Sequence, residues 1–114
     1  MRIGCDIIEN ERMDKLLGSS KVFSPEEFAY CDKFEPTQRR SHYAGFWAAK
    51  ESVRKAMDCT VNMHDICITH TDSGEPKIII NNIIKNALKK YKLNNINISI
   101  SNEKNYSVAY CLID

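Results

Sequence analysis

Between Pro36 and Asp58 the chain reads TQRRSHYAGFWAAKESVRKAM, with no proline to interrupt it. Tyr43, Phe46, Trp47, Lys50 and Arg54 recur at the period of an α-helix, so the stretch predicts a long helix over about residues 37–57. Ala44, Gly45, Ala48 and Ala49 leave room for a close neighbour. The most apolar and aromatic helix of a small chain has to lie at its centre, and the other elements must be arranged to cover it.

Those elements are short. Residues 2–8 alternate, placing Ile3, Cys5 and Ile7 on one face of a half-buried strand and Asp6 on the other beside Gly4 and Ile8. ERMDKLLG predicts a short helix, with Met13, Leu16 and Leu17 at helical spacing and Gly18 as its C-cap. In SPEEF, Ser24 caps, Pro25 opens and Glu27 completes a capping box for a helix reaching about residue 34. Residues 65–71 and 77–80 predict a hairpin joined through DSGEP. NNIIKNALKKYKLN predicts an amphipathic helix, with Ile83, Ile84, Ala87, Leu88 and Tyr91 inward and Lys85, Lys89, Lys90 and Lys92 outward. INISIS and YSVAYCLI, joined across SNEKN, predict a second hairpin. The order β, α, α, α, β, β, α, β, β describes an α+β fold, a mostly antiparallel sheet packed against a long central helix, in one domain over residues 1–114.

Several functions are disfavoured at once. A net charge of +1 lacks the basic excess of a nucleic-acid-coating protein, so no nucleic acid is expected as partner. No apolar run approaches a membrane span, and MRIGCDIIENER is too short and too soon charged for a signal peptide, so the chain is expected in the cytoplasm and off the membrane. Five cysteines, an odd number without CxxC spacing, fit reduced thiols better than a disulfide framework. Cys59, His64, Cys67 and His70 have the side-chain types of a zinc site but not the spacing. The lysines at 85–92 read as a solvated face, able to steer an acidic partner.

The long helix carries Lys50, Glu51, Arg54 and Lys55 among apolar neighbours. Glu51 and Lys55 share a face, as do Lys50 and Arg54, and a solvated ion pair is one reading. The other is a site, because charges at a buried surface need partners or a function. Asp6, flanked by Ile3, Cys5, Ile7 and Ile8, poses the same alternative of a structural hydrogen bond or a bound cation. Taken with Glu51 it suggests Mg²⁺, which is held by one or two carboxylates while phosphate and water fill the remaining positions. Lys55 would then add a point charge for the same phosphate.

GCDIIENERMDKLL, FSPEEFAYC, FWAAKESVRKA, the SGEP turn and SISNEKNYSVAYCLI together resemble the bacterial holo-acyl-carrier-protein synthases of the phosphopantetheinyl transferase superfamily, in order and over nearly the whole chain. The resemblance implies a transferase that moves the 4′-phosphopantetheine arm of coenzyme A to a serine of apo acyl carrier protein, releasing 3′,5′-adenosine bisphosphate, in support of fatty acid biosynthesis. It implies Mg²⁺ on Asp6 and Glu51, with Lys55 beside the pyrophosphate, so that Asp6, Glu51 and Lys55 form the catalytic set. Glu51 is the candidate general base, acting directly or through water. Coenzyme A contacts fall on Lys55, on Gly74 and Pro76 of the SGEP turn, and on Asn102. Carrier-protein contacts fall on Arg12, Met13, Leu16 and Leu17. A homotrimer with active sites between subunits is also implied.

The chain departs from that family at three places. Phe46 stands where many members have a basic residue for the nucleotide's 3′-phosphate. Asp58, Cys59 and Thr60 replace a Gly-Thr-Gly, and Asn102 replaces a histidine. Lys104, Arg39, Arg40 and His42 are candidates for the missing cation. The departures keep open a second function, a non-catalytic module that binds carrier protein or coenzyme A.

Overall fold

The structure, a computed structural model, describes residues 1–114. In chain order its elements are β1 (Arg2–Glu9), a 3₁₀ turn (Asn10–Lys15), α1 (Pro25–Asp32), α2 (Pro36–Ala56), a second 3₁₀ turn (Met63–Asp65), β2 (Ile68–His70), β3 (Pro76–Ile78), α3 (Asn82–Lys90), β4 (Ile96–Asn102) and β5 (Tyr106–Ile113). The expected α+β architecture is present. Strands β1, β5 and β4 form an antiparallel sheet in that spatial order, β2 and β3 form a separate hairpin, and α2 lies across the inner face of the larger sheet.

The long helix matches the sequence reading to within a residue at each end, with Pro36 at its first turn. Its small residues are used. A Cβ on Gly4 of β1 would collide with the carbonyl of Ser52, so backbone meets backbone where α2 crosses β1. A Cβ on Gly45 would stand 2.6 Å from Asn102 Oδ1, so the same helix hugs β4 a few turns earlier. The helix therefore runs diagonally from the β4 edge to the β1 edge.

That close approach corrects the reading of β1. The alternation is right but the faces are exchanged: Gly4 and Ile8 are buried with Asp6 on their side, while Ile3 and Ile7 are each 63% exposed. Treating the apolar set as the inner one fails because both faces are apolar, and the helix can only dock where a glycine lets it in. The register puts Asp6 in one cross-sheet row with Ala109 and Ile100. It leaves Ile3, Ile7, Tyr106, Tyr110 and Leu112 exposed on the outer face.

Other expectations need adjustment. ERMDKLLG is a 3₁₀ turn rather than an α-helix. Asn10 is held to the β4–β5 hairpin through Asn105 O, Glu103 O and Lys104 O while Met13 is fully buried, and a segment this short, pinned twice, tightens. The first hairpin is only three residues a side, with Pro76 inside β3 opposite His70. In α3, capped by the Asn81 side chain, Ile84 and Leu88 are buried, but Ile83 is 49% exposed and not inward.

The capping box forms as read: Ser24 Oγ accepts from Glu27 N, and Glu27 Oε1 from Ser24 N. Glu27 also accepts from Ile68 N at 2.9 Å and pairs with Lys50, both side chains being fully buried. One carboxylate thus joins α1, α2 and β2.

Candidate active site

Asp6 and Lys55 meet because α2 lies so close on β1. Lys55 Nζ donates at 3.0 Å both to Asp6 Oδ1 and to the carbonyl of Cys5. Glu51, one turn earlier, is paired instead with Arg54 Nη1 at 3.0 Å, and Arg54 Nε is anchored on Val61 O at 2.9 Å. The Glu51–Lys55 ion pair suggested by the spacing is therefore not made. Glu51 still acts on the Lys55 ammonium: the hydrogen bond that Lys55 donates to Asp6 leads in raising the Lys55 pKa, and the charges of Asp6 and Glu51 add to it against desolvation. Lys50 belongs to the core pair with Glu27 and not to this group.

Asp6 and Glu51 offer carboxylate oxygens only, and no third His, Cys, Asp or Glu completes a protein cage. Such a donor set suits a hard cation that keeps water and a substrate phosphate as its other ligands.

The segment just after α2 solves a conformational problem without glycine. Asp58 and Cys59 have φ of 52° and 57°, in the left-handed region. The Asp58 carboxylate accepts from Arg2 Nη2 at 2.8 Å and from the Tyr91 hydroxyl at 3.0 Å, while the Arg2 guanidinium lies 4.0 Å over the Tyr91 ring. Arg2 Nε reaches Ala56 O at the end of α2. The negative charge that the sequence places at Asp58 is thereby paired.

Gly74, Pro76 and Asn102 come together. They line one cleft of about 160 Å³ with Tyr30, His42, Phe46, His70 and Ile100, on the β4 side of α2. Neither Asp6, Glu51 nor Lys55 lines it. Phe46 is 3% exposed and acts as a wall rather than a contact surface. His70 stacks on Tyr30 at 4.0 Å and His42 on Phe34 at 3.8 Å. Burial lowers the pKa of both imidazoles, the charge of His70 lowers that of His42 further, and Lys33 adds to the effect on both. Asn102 Oδ1 lies 2.9 Å from Ser107 Oγ, which is also 2.7 Å from Asn10 Oδ1, so the hairpin tip is tied down. Sequence does not point Tyr30 and His70 to this cleft, because tertiary stacking alone brings them to it; Lys33, over the Tyr30 ring, borders a neighbouring cleft with Cys67 and His70.

On the segment expected to meet a carrier protein, Arg12 and Leu17 are exposed and Leu16 half-buried, but Met13 is fully buried, which removes it as a surface contact. Its side chain is needed by the core beneath the 3₁₀ turn. Leu17, Arg40, Asn102 and Lys104 also border a larger open cleft of about 810 Å³. Of the cations considered for the nucleotide, Arg39 is taken by Asp32 O and Phe34 O, and Arg40 by Asp14. His42 alone of the four lines the cleft with Gly74 and Pro76.

A family model for the 4′-phosphopantetheinyl transferase superfamily matches residues 2–111. A holo-[acyl-carrier-protein] synthase of Sulfurovum sp. is 33% identical, the match covering 100% of this chain and 97% of the relative. One from Pelagibacter ubique is 36% identical over 97% of this chain and 94% of its own. Among solved structures, the Bacillus anthracis holo-(acyl-carrier-protein) synthase in complex with CoA (3′,5′-ADP) superposes with a TM-score of 0.79 at 26% identity, covering 98% of this chain and 94% of that one.

Proposed function

The chain belongs to the 4′-phosphopantetheinyl transferase superfamily, as one of its holo-acyl-carrier-protein synthases, and we propose that it transfers 4′-phosphopantetheine from coenzyme A to a serine of apo acyl carrier protein. The reaction needs Mg²⁺, releases 3′,5′-adenosine bisphosphate and serves fatty acid biosynthesis in the cytoplasm. No helix is long and apolar enough to cross a membrane. The observation that carries the reading is the Lys55 ammonium held on Asp6 within the field of Glu51.

Asp6 and Glu51 would hold Mg²⁺, which when bound neutralises charge growing on the pyrophosphate oxygens. Lys55, half exposed, presents a second positive charge at the same place. The carrier serine Oγ bonds to the β-phosphorus, and the bond to the bridging oxygen breaks with its electron pair leaving on the adenosine bisphosphate. Glu51, fixed by Arg54, takes the serine proton. Arg12, Leu16 and Leu17 present a cation and apolar surface to an acidic carrier protein. Gly74, Pro76 and Asn102 contact coenzyme A.

The Asp6 group sits on β1 and the Gly74 cleft is lined by β4, the two edge strands of the sheet, and this separation supports a site completed by a second copy. The apolar outer face of the sheet, with Ile3 and Ile7 uncovered, supports assembly into a homotrimer. Asp58, one of the departures that keep the non-catalytic module open, has its charge paired with Arg2, which weakens that second reading; the missing nucleotide cation still bears on it.

The test is intact mass spectrometry of apo acyl carrier protein incubated with the protein, coenzyme A and Mg²⁺. A gain of one phosphopantetheine group, lost with EDTA, is expected; complex formation without mass gain would sink the enzyme reading.

A further inference from the structure

Two polar side chains sealed inside the protein take no part in the proposed reaction: Asn10 is 2% exposed and Ser107 1%. Asn10 opens the 3₁₀ turn that follows β1, and every hydrogen-bonding group it owns except its own carbonyl is spent on the β4–β5 hairpin. Its backbone N–H donates to Asn105 O at 2.8 Å, and its Nδ2 to Glu103 O at 2.7 Å and Lys104 O at 3.2 Å. Its Oδ1 accepts from Ser107 Oγ of β5 at 2.7 Å. With both amide protons committed to the hairpin loop, the side chain can turn only its oxygen to Ser107, so the clamp has a single orientation.

We propose that Asn10, locked by Ser107, is a positioning residue for the carrier protein: it fixes the direction in which the segment from Arg12 to Leu17 is presented. The inference rests on the reading above, in which Arg12, Leu16 and Leu17 meet the carrier and Asp6 stands at the reacting phosphate. Asn10 lies between them in the chain, four residues after Asp6 and two before Arg12. It therefore sets where a docked carrier delivers its serine relative to Asp6, and a small misplacement there is costly to the reaction. A 3₁₀ turn of 6 residues is too short and too poorly bonded to hold such a direction by itself. Arg12 is exposed and joins no ion pair of its own, so only the backbone of the turn aims it.

The turn has two other anchors, and neither replaces this one. Met13 is buried in the core, but an apolar contact has no directional preference. The Asp14 carboxylate accepts from Arg40 Nε at 2.9 Å and Nη2 at 2.7 Å, yet these side chains are 43% and 52% exposed, and a solvated pair holds less firmly than a buried network. Residues of the turn and of the hairpin loop, among them Asn10, Leu17, Glu103 and Lys104, line the open cleft of about 810 Å³. The clamp joins one lining to the other, so loosening it frees the stretch bearing Leu17 to shift against the hairpin.

The experiment measures KM for apo acyl carrier protein and for coenzyme A in the wild type and in Asn10→Ala, Arg12→Ala and Asn10→Ala/Arg12→Ala variants. Loss of folded enzyme lowers apparent kcat and leaves both KM values in place, whereas a positioning role moves one KM alone. Asn10→Ala is expected to raise KM for the carrier by about tenfold while KM for coenzyme A stays within about twofold. Arg12→Ala should cost little more in the Asn10→Ala background, because a side chain no longer aimed at the carrier has little left to lose. An unchanged carrier KM in Asn10→Ala, an equal rise for both substrates, or additive effects of the two substitutions overturns the clamp while leaving the transferase intact. Should Asn10→Ala not fold, Ser107→Ala takes its place, with a carrier KM raised by about threefold for the one bond removed and the same outcomes overturning the clamp. Should the wild type transfer nothing, the transferase reading fails, and calorimetry with apo acyl carrier protein decides the clamp. Affinity about tenfold weaker in Asn10→Ala upholds it, and equal or undetectable affinity overturns it.

Discussion

Replacing Lys50 with Met tests how the core tolerates its one fully buried ion pair. Lys50 Nζ donates to Glu27 and to the carbonyl of Val22, and both charged side chains are 0% exposed. Methionine fills much of the volume, so the loss is mainly electrostatic. Glu27 keeps Ser24 N at 2.8 Å and Ile68 N at 2.9 Å but loses its counter-charge, and Val22 O loses a donor. Removing one partner of a buried pair costs about 3–5 kcal/mol, a large share of the ~5–15 kcal/mol of a domain's stability, and lowers Tm by about 10–20 °C. The deficit has a definite pH dependence. Without Lys50 the buried carboxyl favours its neutral form, so its folded pKa rises above the unfolded value near 4.3. The folded state then binds more protons than the unfolded one between those two values, and the variant loses stability as pH rises through that window. Thermal unfolding followed by circular dichroism from pH 5 to pH 8 should show the gap from wild type widening towards pH 8. Adding Glu27→Gln should close part of it. A variant within about 1 kcal/mol of wild type at pH 8, or a gap that widens towards acid, would refute this account of the pair.

Glu51→Gln should lower transfer by about a hundredfold or more while leaving the circular dichroism spectrum and carrier-protein binding unchanged, because Gln keeps the shape but not the charge; wild-type turnover counts against both its proposed roles. Ile7→Glu, placed on the exposed outer face of β1, should yield a folded monomer by light scattering with little activity, and an unaltered assembly would show that this face is not the interface.

Helix α2 and the capping box were legible because each is local: a period, and a Ser followed three residues on by Glu. The second task of Glu27 was not, since Lys50 and Ile68 reach it only through tertiary packing. Which face of β1 turns inward is not legible, because hydrophobicity cannot rank two apolar faces; the collision a Gly4 Cβ would make with Ser52 settles it, and that contact exists only in the folded chain. Asp6, Glu51 and Lys55 were singled out by residue type and by resemblance. Their partners were not legible, because Lys55 crosses to β1 while Glu51 turns to Arg54. The histidine cluster left no local signal: His42 and His70 lie far apart in sequence and meet only across Tyr30.

The pairing of Asp58 with Arg2 and Tyr91 also bears on the sequence of events in folding. A glycine can adopt a left-handed turn on its own, as soon as the helix before it forms. Asp58 and Cys59 instead depend on residues from the start of β1 and the end of α3, so their shape is favoured only once both of those elements have docked. This loop is thus a late-ordering element whose cost is long-range loop closure rather than local strain. Substitutions at Arg2, Asp58 and Tyr91 should be non-additive, the three positions acting as a coupled unit rather than as independent surface sites.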